Sequence, residues 1–402
     1  MSNERPDPIR MRNRLRILKK IRRAGSISRV ELSARTGCSR ATVTNITAEL
    51  IERGIIYEKE TRVTESKGRR RVMLAIDPTA AYVVGVKVMA FNIGVAVIDF
   101  AANVLGSLSI PVRSKSRPLS HLADIIEDGV RICIKESKIE KNHVRGIGMA
   151  IPGFVDHEHG RCLWTPLYND SQGDLCALVY ERLGIPAFIE NDANAITLAE
   201  QWFGHGQDID DFLLVSIEQG VGLGIVVNGE LYRGHSGIGA EFGHVVIEPG
   251  GRRCRCGKNG CIEAYAGGDG IMRAVSEANA SGLWTHPSME MLSLEEVIDL
   301  AQSGDPFLQS LFHRGGEVLG QGISSLLQIF NPAKIIITGQ YVSAGEMLFA
   351  PMRQTIKSLT NTQQYEATEF VVLQWQATDW ARGAASIVLQ EMYESPFDHI
   401  KA

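Results

Sequence analysis

Between Gly239 and Glu263, one imidazole and three thiols (His244, Cys254, Cys256 and Cys261) fall within eighteen residues, and neighbouring glycines let the segment fold back on itself. No other feature restricts the fold so tightly. Four such ligands aimed at one point match the number and kind that tetrahedral Zn²⁺ takes in a closed structural site. A closed site leaves no position for an activated water, so the metal expected here fastens the chain rather than performing chemistry. The spacing His-x9-Cys-x-Cys-x4-Cys is not that of a common zinc finger. A redox pair or free surface thiols are the other reading, and against it stands the crowding of three of the chain's seven cysteines into eight residues. Two carboxylates accompany the loop, Glu241 three residues before the histidine and Glu263 two after the last cysteine. Closing the loop on a metal fixes both, and fixed acceptors are what a sugar hydroxyl needs.

The other cysteines, Cys38, Cys133, Cys162 and Cys176, are scattered, and an odd total argues against a disulfide framework. They read as reduced thiols. A chain of 402 residues points to two or three domains, and 44% hydrophobic with 22% charged residues is a globular balance. No apolar run reaches the eighteen or so residues of a membrane span, and the charged start lacks a signal-type apolar core. The expectation is a cytoplasmic protein with no membrane insertion. The net charge of −4 conceals an asymmetry: residues 1–71 carry 19 Lys and Arg against 8 Asp and Glu. That end is suited to a polyanion.

The basic end also has a recognisable pattern. Ile9 to Ala24 is an amphipathic helix closed by Gly25; Ser28 caps a short helix, Arg29 to Arg35, which Gly37 stops. Ser39 caps a second, Arg40 to Arg53, whose apolar stripe is Val43, Ile46, Leu50 and Ile51. This is a helix-turn-helix. Its second helix starts with small and hydrogen-bonding residues, and Ser39, Arg40, Thr42, Thr44 and Asn45 are the candidates for meeting a major groove. A strand at Ile55 to Glu60, a polar tip and a return at Val72 to Leu74 form a wing, with Arg69 and Arg70 as candidate phosphate contacts. The alternative is a helical interaction domain with an exposed basic rim. Double-stranded operator DNA is the expected partner. Asp77-Pro78 reads as the linker, dividing a winged helix-turn-helix at 1–76 from an α/β region at 77–402.

In that region strands are expected at Tyr82 to Val88, Ile93 to Asp99, Val104 to Ile110, Val144 to Ala150 and Pro186 to Glu190. Helices are expected at Leu119 to Glu136 and Ala195 to Gly204, giving a mixed sheet covered by helices. Asn191 and Asp192 stand where strand gives way to helix, the usual place for ligand contacts in open α/β sheets, although a helix cap is an equal reading of Asn191. Beyond the strand Asp211 to Glu218, Gln219 to Gly224 reads as a glycine turn suited to a phosphate or simply to a hairpin. No internal repeat stands out.

With Gly239-Ala-Glu241-Phe-Gly-His244, the Cys254-x-Cys256-x4-Cys261-x-Glu263 loop and Glu190-Asn191-Asp192-Ala193-Asn194 in one chain, the sequence resembles the ROK family over nearly all its length. That family joins sugar-responsive repressors to sugar kinases, and a winged helix-turn-helix in front is the repressor arrangement. The resemblance implies a two-lobed, actin-like α/β fold in which Asn191, Asp192, Glu241, His244 and Glu263 bind a sugar, His244 touching both sugar and zinc. The family's kinases place Asp-x-Gly-Gly-Thr-Lys on their first strand; the corresponding run here is Lys87-Val88-Met89-Ala90-Phe91-Asn92, with the carboxylate and both glycines gone. Glu218-Gln219-Gly220 stands for a second phosphate loop. Without the glycines the backbone cannot approach a triphosphate, and without the carboxylate magnesium has no anchor. The expectation is a repressor without catalytic activity, a homodimer or tetramer, released from DNA by a sugar or sugar phosphate. A sugar kinase fused to a DNA-binding domain, and a repressor captured by a phosphotransferase-system protein, are the rivals.

Overall fold

The computed structural model describes residues 8–61, 71–112, 118–168, 172–286, 292–374 and 379–399. The chain divides into two units, one formed by Met1–Phe203 with Thr378–Ala402 and the other by Gly204–Ala377.

The first unit begins with helix α1 (Pro8–Ala24), strand β1 (Ile27–Ser28), helices α2 (Arg29–Thr36) and α3 (Arg40–Glu52), and strands β2 (Ile56–Thr61) and β3 (Arg71–Ile76). Local chemistry explains the boundaries. Ser28 and Glu31 close a capping box on α2, and Gly37 ends it at φ 69°, a left-handed conformation that glycine adopts without strain. The Ser39 side chain accepts the Thr42 amide to start α3. Ile17, Leu18, Ile21, Leu32, Val43, Ile46 and Leu50 form the buried centre. The strands pair in the order β1-β3-β2, so a two-residue strand too short to read from the sequence completes the winged-helix sheet. Arg69 and Arg70 lie outside the described residues.

Next come strands β4 (Tyr82–Val88), β5 (Asn92–Asp99) and β6 (Val104–Pro111), helix α4 (Leu119–Glu136), strands β7 (Val144–Ile151), β8 (Phe154–Asp156) and β9 (Arg161–Trp164), helix α5 (Leu175–Leu183), strand β10 (Ala187–Asn191) and helix α6 (Asp192–Phe203). An antiparallel meander, β4 to β6, is extended by β7 and β10 running parallel to β4, in the order β10-β7-β4-β5-β6.

The second unit repeats this plan. It contains strands β11 (Phe212–Ile217), β12 (Val221–Val227) and β13 (Glu230–Leu231), then helices α7 (Glu263–Ala266), α8 (Gly268–Ser281), α9 (Leu294–Gln302) and α10 (Pro306–Phe330). Strand β14 (Lys334–Thr338), helices α11 (Glu346–Leu359) and α12 (Thr362–Ala367) and strand β15 (Glu369–Val372) complete it. Its order, β13-β12-β11-β14-β15, is again a three-stranded meander with two parallel strands added. The duplication is one of topology; the sequence shows no matching repeat. The glycine turn expected at 219–224 is shorter than read: only 218–220 turn, while Val221 to Gly224 are strand, with Ser216 opposite Gly222.

The chain then returns to the first unit as α13 (Asp379–Glu394) and α14 (Pro396–His399). Helix α13 lies directly on the first sheet, because Gly85, Gly146 and Gly148 offer it a floor without side chains. A Cβ on Gly148 would stand 2.0 Å from the Ala384 carbonyl oxygen, and one on Gly85 2.6 Å from that of Ala381.

The N-terminal helices are anchored to this same unit through Arg22 of α1. Its guanidinium carbon lies 5.1 Å from the Trp202 ring centre, 4.5 Å from Phe203 and 5.1 Å from Tyr393, and its Nη2 donates to the Trp202 carbonyl. Tyr393 in turn stacks on Phe100 and donates to that residue's carbonyl at 2.7 Å. Burial holds the Arg22 pKa down to about 10, partly offset by Tyr393.

Candidate functional site

The loop between β13 and α7 folds back as the glycines require. Gly260 takes φ 82°, and a Cβ there would fall 1.7 Å from the Glu248 carbonyl oxygen. Single bridges pair Val246 with Cys261 and Arg253 with Asn259, and the Cys254 amide donates to the Lys258 carbonyl. These ties bring His244, Cys254, Cys256 and Cys261 together, with all four candidate ligand atoms within 4.8 Å of one another. The Cys256 and Cys261 sulfurs are 3.7 Å apart and Cys254 Sγ is 3.6 Å from His244 Nδ1. A tetrahedron with metal–sulfur bonds of about 2.3 Å has edges of roughly 3.8 Å, whereas a disulfide needs about 2.05 Å. The arrangement is therefore that of ligands round a common point, not of an oxidised pair.

Burial shapes the protonation of these groups. It pushes the Cys254 thiol up to about 12 and also raises Cys261, so both hold their protons until a metal displaces them. Burial lowers His244, against the pull of Glu263, and so favours the neutral imidazole that a metal binds. Cys256 is held below the ordinary thiol value: slight burial opposes this, and the Lys258 amide and neighbouring thiols outweigh it.

The two carboxylates differ. Glu241 is two-fifths exposed, 4.0 Å from His244 Nε2, and follows Ala240, which sits at the unusual φ of 64°. Glu263, the first residue of α7, is almost wholly buried and already engaged. Arg255 reaches it from between two of the cysteines with a forked contact, Nε to Oε1 at 2.7 Å and Nη2 to Oε2 at 3.1 Å, and the Val221 amide adds a third donor at 3.3 Å. That arginine was not singled out in the sequence.

At the end of β10, Asn191 does what a cap does. Its Oδ1 accepts the amides of Ala193 and Asn194, and its Nδ2 donates to the Gly153 carbonyl at 3.0 Å. Helix α6 therefore starts at Asp192, three residues before the expected Ala195. Asp192 is half-buried in the first turn and accepts the Ala193 amide. Beneath them Glu190, 1% exposed, accepts from the Asn191 amide and from Asn194 Nδ2. Lys87, 2% exposed, stands in register with Ala150 and, through it, with Glu190. Past Val88, the last residue of β4, Met89 to Phe91 form a tight connection to β5 with the Met89 amide on the Asn92 carbonyl, and Phe91 is two-thirds exposed. At 218–220 the turn carbonyls of Glu218 and Gln219 already accept the amides of Gly268 and Asp269 at the start of α8.

On the winged-helix domain, Ser39, Arg40, Thr44 and Asn45 are exposed and Thr42 is half-exposed, while Val43, Ile46, Thr47 and Leu50 face inward. Ser39 and Thr42 are committed to the cap, and Thr44 donates to the Arg40 carbonyl. Arg40 and Asn45 present exposed polar groups at the start of the same helix.

A winged helix followed by a twice-used actin-like α/β plan and a histidine–cysteine knot defines the class: a DNA-binding regulator with a kinase-like effector portion. The chain belongs to the ROK family, whose profile matches residues 83–391, while residues 12–60 match the MarR family. It is 29% identical over 382 residues to the xylose repressor of Bacillus subtilis, covering 95% of this chain and 96% of that one. It is 27% identical over 361 residues to the transcriptional dual regulator NagC of Escherichia coli, covering 90% and 87%. Among solved structures, a ROK family transcriptional regulator described as a homolog of the E. coli Mlc protein superposes with a TM-score of 0.80 at 30% identity, covering 96% and 98%. A ROK glucokinase from Streptomyces griseus in complex with glucose and AMPPNP gives 0.66 at 27% identity, over 76% of this chain and 99% of that one. Among the described residues no helix is long and apolar enough to cross a membrane.

Proposed function

We propose that this chain is a sugar-responsive transcriptional repressor of carbohydrate uptake or catabolism genes. Residues 1–76 read operator DNA and residues 77–402 hold a sugar or sugar phosphate. The observation that carries this reading is the exposed, serine-capped start of α3 on a basic winged helix, in a chain that matches repressors along almost its whole length. Arg40, Thr44 and Asn45 reach base edges, Ser39 and Thr42 fix the start of the helix, and Arg69 and Arg70 take phosphates. A homodimer or tetramer would match a pseudo-palindromic operator.

For the effector we propose Asn191, Asp192, Glu241, His244 and Glu263 as hydroxyl partners. His244 and the three thiols suit Zn²⁺ in number, type and spacing. Bound there, zinc would close the loop structurally and polarise the imidazole. His244 Nε2 lies 4.0 Å from the Glu241 carboxylate, so both would face the same hydroxyl.

Phosphoryl transfer fits poorly. The turn at 89–91 lacks glycine, a buried lysine replaces the kinases' acid, and the α8 amides are spoken for. Asp192 is then an acceptor for a hydroxyl rather than a general base. Gel shifts with the chain's own upstream DNA and a panel containing D-xylose, D-glucose, N-acetyl-D-glucosamine and their phosphates test the proposal. Release by one of them is expected; unchanged retardation across the panel would remove the small-molecule effector and favour capture by a phosphotransferase protein. ATP-dependent turnover of any of these sugars would restore the kinase reading.

A further inference from the structure

The carboxylate best held by the loop is the one least available to a ligand. Glu263 has two oxygens, and Arg255 spans both while Val221 occupies a further lone pair. Asp269 Oδ2, 3.5 Å from Arg255 Nη1, engages the third guanidinium nitrogen. Gly220 closes the remaining side: a Cβ on it would stand 2.4 Å from Glu263 Oε2 and 2.6 Å from Arg255 Nη2. A guanidinium matched to a carboxylate in this forked geometry is among the strongest pairings two side chains make, and here it is largely screened from water. Because two acids already neutralise it, Arg255 is a poor receptor for an additional anion. Its place in the chain, between Cys254 and Cys256, ties any movement of its backbone to the thiol knot.

Resting on the effector reading above, we propose that Arg255 is an affinity-setting latch on the effector site: it occupies Glu263 in the free protein and must be displaced by a neutral sugar hydroxyl before that carboxylate can bind. The latch lowers the free energy of the free state only. It therefore weakens, by one common factor, the binding of every sugar that engages Glu263.

The test is titration calorimetry of the full-length protein with D-xylose, D-glucose and N-acetyl-D-glucosamine, comparing wild type, Arg255→Ala and Arg255→Gln, with zinc content and circular dichroism of each recorded first. Arg255→Ala is expected to bind whichever sugar the wild type binds about ten-fold more tightly, in line with one partly buried charged pair. Arg255→Gln, which leaves Glu263 a neutral donor, should fall between the two and carries the test alone if the alanine variant does not fold. Binding that is unchanged or weaker in a variant with full zinc content would overturn the latch, weaker binding marking Arg255 as a direct sugar contact. Absence of binding in wild type with binding in a variant would support it. Absence of binding in every protein would remove the effector reading itself, and the latch with it.

Discussion

Arg22 offers a demanding test of how the DNA-reading helices are held. Its guanidinium gains from three aromatic rings, worth up to about 2 kcal/mol together when desolvated, and from a charged hydrogen bond to the Trp202 carbonyl, about 1.5–3 kcal/mol. Against this, the drop in pKa from 12.5 to about 10 represents a penalty of roughly 3 kcal/mol on the charged form, and Nη1 is buried without a hydrogen-bond partner. The charge is therefore close to neutral in its net effect, whereas the volume is not. Arg22→Met keeps the apolar stem among the rings and should cost no more than about 1 kcal/mol. Arg22→Ala leaves a cavity under α1 and should cost about 2–4 kcal/mol. In a unit of this size that is a melting-temperature drop of roughly 5–12 °C for alanine and under about 4 °C for methionine. Differential scanning calorimetry of both variants decides. If methionine falls as far as alanine, the charge itself holds the helix; if neither moves, α1 is not docked on α6 and α13 at all.

Other consequences can be measured directly. Cys261→Ser should lose bound zinc by elemental analysis and operator retention together; full metal content would remove Cys261 from the ligand set. Because Cys254 keeps its proton up to about 12 without metal, zinc binding near pH 7.5 should release protons, and affinity should fall as pH falls; calorimetry in buffers of different ionisation enthalpy would show equal heats if no proton left. Asn45→Ala or Arg40→Ala should weaken operator binding about 10–100-fold without changing the melting temperature by more than a degree or two, and binding at wild-type strength would move the base contacts elsewhere. Gly148→Ala should cost about 3 kcal/mol or more, because the new methyl meets a backbone oxygen that cannot rotate away; chemical denaturation giving an unchanged midpoint would refute the close approach of α13.

Where local chemistry decides the structure, the sequence is a good guide. Ser28, Gly37 and Ser39 mark the helix-turn-helix because caps act within one turn, and strand β4 and helix α4 keep their expected ends. Helix α5 escaped notice despite a capping Asp174 and a closing Gly184. Helices α7 and α8 escaped for a better reason. Gly267, Gly268 and Gly270 speak against helix, yet a Cβ on Gly268 would meet the Tyr341 ring at 2.5 Å and one on Gly270 the Glu263 carbonyl oxygen at 2.5 Å. Tertiary crowding, invisible in one dimension, selects them. The cluster of four candidate metal ligands was legible because thiols are scarce. The fork from Arg255 to Glu263 was not, since nothing in an arginine between two cysteines says which acid it will reach. Asn191 proved to be a cap in fact, with its sugar role still resting on the proposal.

Helix α6 has an acid at one end and the Trp202–Phe203 seat of Arg22 at the other. Twelve residues of α-helix make a rod about 18 Å long, stiff along its axis. A pull on Asp192 would be delivered to the cradle of α1 with no loop in between to absorb it, so a tilt too small to disturb the sheet would move the winged helix.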